Sequence, residues 1–143
     1  MTDFTLDPRL AADTLPVVDA PLCSIRLMNE TRYPWLILVP RRAGLRELYE
    51  LTDTELRQFW TESAAVSRAL MQVTEGHKLN VAALGNVVAQ LHIHHVVRSP
   101  DDAAWPKPVW GVHPPVAYTA AAAMAFIEKI RAALDRLSTS GVQ

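Results

Sequence analysis

The chain has 143 residues, half of them apolar and a fifth charged, with a formal net charge of −1. That describes a single folded domain with room for a core. It excludes a disordered chain and a nucleic-acid binder that works through a broad basic field.

Residues 6–14, LDPRLAADT, predict a short helix with Pro8 in its first turn. PVVDAPL follows as an extended or edge segment broken by Pro21. CSIRLMN alternates, with Cys23, Ile25 and Leu27 against Ser24, Arg26 and Met28, and so predicts a half-buried strand. WLILVP is continuously apolar and predicts a central strand ended by Pro40. Arg41-Arg42 after it reads as a solvated strand end before a phosphate clamp. Thr52 and Glu55 have the spacing of a capping box, so a helix should run to about Glu75 with Gly76 as its stop. Trp60 lies on the apolar stripe of that helix, as core or as a dimer interface. KLNVAALG predicts a strand, Gly85-Asn86 a turn and VVAQLHIHHVVR the returning strand of a hairpin.

SPDDAAWPKPVWGVHPP has too much proline for regular structure. Its Trp105 and Trp110 suit packing or stacking on a base. His77 and His113 read as loop residues with no partner visible in sequence. A last helix should cover about 118–137, with Phe126, Ile127, Ile130, Leu134 and Leu137 on one face. The order of elements predicts an α+β fold with an antiparallel sheet. The lone Cys23 excludes a disulfide framework or a cysteine zinc cluster and reads as core. The N-terminus carries acidic residues and no apolar run, so no signal peptide is expected. No window approaches the ~18 apolar residues of a membrane span. The expected location is the cytoplasm, with no membrane partner.

The chemistry concentrates in QLHIHHVVR, residues 90–98, which holds three of the five histidines. On a strand, Gln90, His92, His94 and Val96 share one face, and Leu91, Ile93, His95 and Val97 share the other. His92 and His94 then stand about 7 Å apart by strand rise. Two imidazoles and an amide make poor core material, because every buried polar group needs a partner. They suit the floor of a site. His95 lies on the aliphatic face and reads as a surface or interface residue. Two chemistries compete. A His-x-His pair supplies two metal ligands, and the third would have to be His77, His113 or a carboxylate. Alternatively a neutral imidazole attacks phosphorus, its neighbour stabilises the phosphate charge and the Gln90 amide donates to a phosphate oxygen.

The stretch Gln90-Leu91-His92-Ile93-His94-His95-Val96 resembles the His-φ-His-φ-His-φ-φ signature of the HIT (histidine triad) superfamily, where φ is apolar. Gly85-Asn86 stands where the family has Gly-Gln. Asn80, Arg98, YPWLILVPRR, LTDTEL and AWPKPVWG extend the resemblance from about Leu22 to Gly111. It implies a single HIT-like domain over 1–143, with an antiparallel sheet of about five strands, two main helices and a side-by-side homodimer. It implies a cleft for a purine nucleotide or dinucleotide, and hydrolysis or nucleotidyl transfer at the α-phosphate. His92 is the implied nucleophile, oriented by a backbone carbonyl of its own strand. His94 would hold the α-phosphate, Asn80 and Asn86 the ribose and phosphate, and Asn29 the ribose. No cofactor is required, though a divalent metal can accompany a polyphosphate. The sequence departs from the pattern at three positions. Gln90 replaces the first histidine, Trp35 stands where many members keep a separate histidine, and His95 replaces an aliphatic residue. The first two remove titratable groups near the leaving group. A nucleotide-binding module with weak or no turnover is therefore the alternative, and a His-x-His metal enzyme the third.

Overall fold

A computed structural model of the chain describes residues 3–139. Five strands form one antiparallel sheet in the order β1-β2-β3-β5-β4. In chain order the elements are α1 (Pro8–Asp13), β1 (Thr14–Asp19), β2 (Cys23–Met28), β3 (Trp35–Pro40), α2 (Asp53–Thr74), β4 (Lys78–Ala83), β5 (Ile93–Arg98) and α3 (Ala120–Thr139). The expected α+β class is what forms.

Local chemistry sets most boundaries. The Asp7 carboxylate accepts from Arg9 N at 2.8 Å and caps α1, with Pro8 in the first turn. Pro16 sits in β1 beside a register shift, which suits an edge strand. Thr52 and Glu55 form the predicted capping box of α2. The helix ends one residue earlier than expected. Glu75 takes the left-handed cap at φ +50°, and Gly76 follows it. Gly76 is required for a different reason. A Cβ there would stand 2.6 Å from Met71 Sδ and 2.8 Å from Val97 Cγ1. Thr119 caps α3, its hydroxyl accepting from Ala122 N at 3.1 Å.

β3 is buried along its whole length and splits the core in two. On one face Ile25, Leu27, Leu36, Leu38, Ile93 and Val97 pack under α2 and α3, together with Phe59, Val66, Leu70, Ile127 and Ile130. On the other, Ile37, Val39, Val96, Tyr33 and Trp35 are covered by α1, the N-terminal segment and residues 104–110. Trp60 is half exposed and stands edge-on to Phe59, so it is not core.

The hairpin expectation needs correction. β4 and β5 do pair antiparallel, but residues 84–92 between them are not a tight turn, and β5 begins only at Ile93. The hydrogen bonds of this segment go elsewhere. Leu91 N donates to Leu45 O at 2.9 Å, and the Gln90 side chain binds the N-terminal segment. Gln90 and His92 therefore sit just ahead of the strand. Among the described residues, 99–119 form neither helix nor strand, as the prolines require.

Candidate functional site

His92 and His94 come together as expected. Their ring centroids are 5.0 Å apart and the planes are inclined by 72°, closer than backbone spacing alone would set them. His92 Nδ1 lies 2.7 Å from the Gln90 carbonyl oxygen. A carbonyl only accepts, so Nδ1 carries a proton, and in the neutral ring Nε2 then keeps its lone pair. Trp35 Nε1 donates to His94 Nδ1 at 3.0 Å. The His94 proton is therefore on Nε2. Burial, and then the neighbouring His92 and His95, push the His94 pKa down to about 3. His94 is a neutral N–H donor at neutral pH, not an imidazolium. Trp35 thus keeps an orienting role at its position.

His94 is walled by two indoles, Trp35 at 5.6 Å and Trp110 at 5.2 Å between centroids. Behind these rings opens a cleft of about 390 Å³. Its polar lining comes from Asp13, Asn29, Glu30 and His113, and its apolar lining includes Met28, Trp35, Val109 and Trp110. Asn29 Oδ1 accepts from Tyr118 N at 2.9 Å, which fixes the amide against the start of α3. Glu30 is buried and paired with Arg32 at 2.7 Å. Burial works against the Glu30 charge, but Arg32 and two backbone N–H groups hold its carboxyl below the usual range. The indole N–H of Trp110 is buried without a hydrogen-bond partner among the described residues.

Other expected residues are placed differently. The Gln90 amide, expected to donate to a phosphate oxygen, is engaged by backbone instead. Its Oε1 accepts from Asp7 N and its Nε2 donates to Thr5 O, both at 2.8 Å, so it clasps the N-terminal segment. Asn80 lies on the His94 face of the sheet, but its Oδ1 accepts from Arg98 Nη1 at 2.9 Å and it does not line the cleft. Asn86 is exposed in the bend after Gly85, also outside the cleft. Of the three asparagines only Asn29 reaches it.

His95 is not a surface or interface residue. It is fully buried, with Nδ1 donating to the Ile93 carbonyl at 3.2 Å and Nε2 accepting from the Ser63 hydroxyl at 2.7 Å. With both nitrogens satisfied, an imidazole can fill an aliphatic position. His113 is not partnerless either. Its ring stacks on Tyr33, and its Nε2 is 2.7 Å from the Tyr33 hydroxyl. His77 stands edge-on to Trp105. Trp105 packs beside Arg98, a buried cation held by Asp102 at 2.8 Å. Burial opposes the Asp102 charge, but Arg98 and three backbone N–H groups outweigh it and hold the pKa at about 2. Arg42 is paired with Glu55 at 2.6 Å, away from the histidines. Among the described residues, no three His, Cys, Asp or Glu side chains are grouped to hold a metal ion. Sequence singled out Trp110 for packing or stacking, and His113 as a loop residue or a third metal ligand, but not their partners His94 and Tyr33, which lie far away in the chain.

The comparisons with known proteins agree with this fold. The HIT domain family matches residues 9–101, beginning earlier and ending sooner than the resemblance read from sequence. A histidine triad protein from Marinobacter aquaeolei is 48% identical, with a TM-score of 0.90 over 94% of this chain and 98% of that one. One from Bradyrhizobium japonicum is 44% identical, with a TM-score of 0.90 over 92% and 98%. One from Sinorhizobium meliloti is 41% identical, with a TM-score of 0.88 over 90% and 95%. None of the curated proteins compared matches the chain.

Proposed function

The chain belongs to the HIT domain family, and from that footing we propose that it binds a purine nucleotide or dinucleotide and hydrolyses or transfers it at the α-phosphate through His92. The supporting observation is the bond from His92 Nδ1 to the Gln90 carbonyl, which in the neutral ring puts the lone pair on Nε2, the attacking atom. Nε2 forms a bond to the α-phosphorus as the bond to the leaving group breaks. The leaving group departs with the electron pair and takes a proton from water. A water or acceptor hydroxyl then attacks the phosphorus and gives its proton to the hydroxide left in solvent, the P–N bond breaks with its electron pair returning to Nε2, and His92 returns neutral. The His94 Nε2–H donates to a phosphoryl oxygen as negative charge builds there. Asn29 and Glu30 face the ribose hydroxyls, and Trp35 and Trp110 wall the cleft against the base. His92 and His94 carry catalysis with no resident metal, and a divalent ion enters only with a polyphosphate substrate.

The working unit is a homodimer. β4 ends the sheet with an open edge, Val81 and Leu84 leave apolar surface on and just after it, and Trp60 is half exposed on α2. Among the described residues no helix is long and apolar enough to cross a membrane. The proposed location is the cytoplasm, with no nucleic-acid partner.

The test is release of AMP from adenosine phosphoramidate, free of metal, by the wild type and by His92→Ala. Release by the wild type that the substitution abolishes supports a covalent histidine. Release at an unchanged rate by His92→Ala refutes it. One observation favours a binding module instead. With the Gln90 amide clasped elsewhere and an indole at position 35, neither position offers a titratable acid to the leaving group. AMP binding that Asn29→Ala weakens, with no turnover of any α-phosphate substrate, would decide for that module.

A further inference from the structure

A second cleft, of about 420 Å³, runs along the β1 edge of the sheet, with Ser24 and Arg26 on its histidine face and Arg131 on the helix side. Ser24 and Arg26 of β2 line its floor, Arg41 enters after β3, and Arg131 reaches it from α3. Phe4 and Leu6 of the N-terminal segment close one side, with Pro16, Val17 and Val18 on β1. Arg26 pairs in register with Ile37, and Ile37 with His94. Two strand spacings separate Arg26 from His94, about 10 Å. The buried Ile37 side chain stands between them. The cleft is thus a separate place from the histidine site.

Its three guanidinium groups are each fixed by a neutral partner. Arg26 Nε donates to Thr14 Oγ1 at 2.6 Å, and Arg131 Nε donates to the Val17 carbonyl at 2.6 Å. Arg41 Nη2 donates to the carbonyl of Ala20 at 2.7 Å, and Arg41 Nη1 has no hydrogen-bond partner among the described residues. Asp19 is the sole carboxylate among the lining residues, 3.7 Å from Arg41 Nη1 and itself 70% exposed. Burial disfavours the Arg26 charge, and only Asp19 offsets that. Three anchored cations therefore face one solvated anion. Guanidinium forks held along one edge, with N–H groups left over, suit phosphoryl oxygens.

We propose that this cleft binds a chain of two or more phosphoryl groups, held by Arg26, Arg41 and Arg131. Such a chain exists as inorganic polyphosphate and as the tail of a nucleoside triphosphate. The apolar side formed by Phe4, Leu6 and Val18 leaves room for either. The cleft would bind whether or not His92 turns a substrate over.

The experiment is a titration of the wild-type protein with sodium tripolyphosphate, and separately with ATP and with citrate, in 0.15 M salt. The readouts are the side-chain NMR signals of Arg26, Arg41 and Arg131 beside those of His92 and His94. Saturating shifts of the arginine signals by tripolyphosphate are expected, and Arg131→Gln and Arg41→Gln should each weaken them by about tenfold. Arg131 is exposed on α3, so that variant keeps its fold even where Arg41→Gln does not. Tighter arginine-site binding of ATP than of tripolyphosphate assigns the site to a nucleotide tail, and equal or weaker binding to the inorganic chain. Shifts confined to the histidines, arginine shifts that neither variant weakens, or citrate binding as tight as tripolyphosphate would each overturn the proposal.

Discussion

His94 and His95 are neighbours on β5, both buried, and they point to opposite faces of the sheet. Burial pushes the His95 pKa down to about 4, although its hydrogen bond to the Ile93 carbonyl works the other way. His94, pushed to about 3, is likewise neutral at pH 7. Charge state and burial therefore do not tell them apart. Hydrogen bonding does. His95 has a partner inside the fold at each nitrogen. His94 receives one bond, from Trp35, and its Nε2–H has no hydrogen-bond partner among the described residues. His92 is arranged the same way, with one nitrogen fixed by the Gln90 carbonyl and the other open. An imidazole whose two nitrogens are both satisfied is structural. One with a single nitrogen fixed is oriented for a ligand.

The contrast is broken most strongly by exchanging the roles. His92→Ala should lower AMP release by about 10⁴-fold or more, the scale of losing a nucleophile, with little change in urea stability. His95→Ala should do the reverse. It leaves a cavity and strips partners from the Ser63 hydroxyl and the Ile93 carbonyl, at a cost of about 2–4 kcal/mol in urea unfolding. The rate per folded molecule should barely change. If His95→Ala removed turnover from protein that remains folded, the division would be wrong.

Acid gives the next largest effect. The unfolded chain protonates its histidines near the ordinary value of 6.5, while folded His94 and His95 wait until about 3 and about 4. Over that window the unfolded chain binds more protons. Stability is full above about pH 6.5 and falls as the pH drops towards 4, by up to about 1.4 kcal/mol per pH unit for each histidine. The double substitution His95→Leu with Ser63→Ala removes the share of His95 and should flatten this slope. An unchanged slope would mean that His95 is protonated in the folded state.

Trp35→Phe keeps a ring against His94 but loses the indole N–H to Nδ1. The His94 tautomer is then free, and kcat should fall by about tenfold with KM little changed, the scale of one lost orienting hydrogen bond. A rise in KM with kcat unchanged would leave Trp35 as a wall of the cleft alone and remove its orienting role toward His94.

The sequence made visible what depends on near neighbours. The alternation of residues 23–28 and the Thr52–Glu55 box lie within a few positions, and both formed as read. The His92–His94 pairing is local too, and so is the carbonyl that orients His92. The failures are long-range. His95 was misplaced because Ser63, its partner, is 32 residues away on α2. His113 looked solitary because Tyr33 is 80 residues away. The strand expected from Val87 starts at Ile93 because Leu91 is bonded to Leu45 and Gln90 to residues 5–7. A pattern of apolar and polar residues does not say which distant group will take a hydrogen bond.

Gln90 gives the smallest effect and the sharpest choice. It stands where the family signature has its first histidine, and from sequence alone its amide is expected to donate to phosphate. In the fold both ends of that amide are taken by the backbone of Asp7 and Thr5, while its own carbonyl serves His92. Alanine keeps the carbonyl and deletes the amide. Gln90→Ala should therefore release the N-terminal segment and speed hydrogen exchange at the Asp7 amide by about tenfold, for a lost bond worth about 1 kcal/mol. AMP release should change by less than about threefold, because His92 keeps its acceptor. A fall in kcat comparable with Trp35→Phe, with Asp7 still protected, would put the amide on the phosphate and make the clasp incidental.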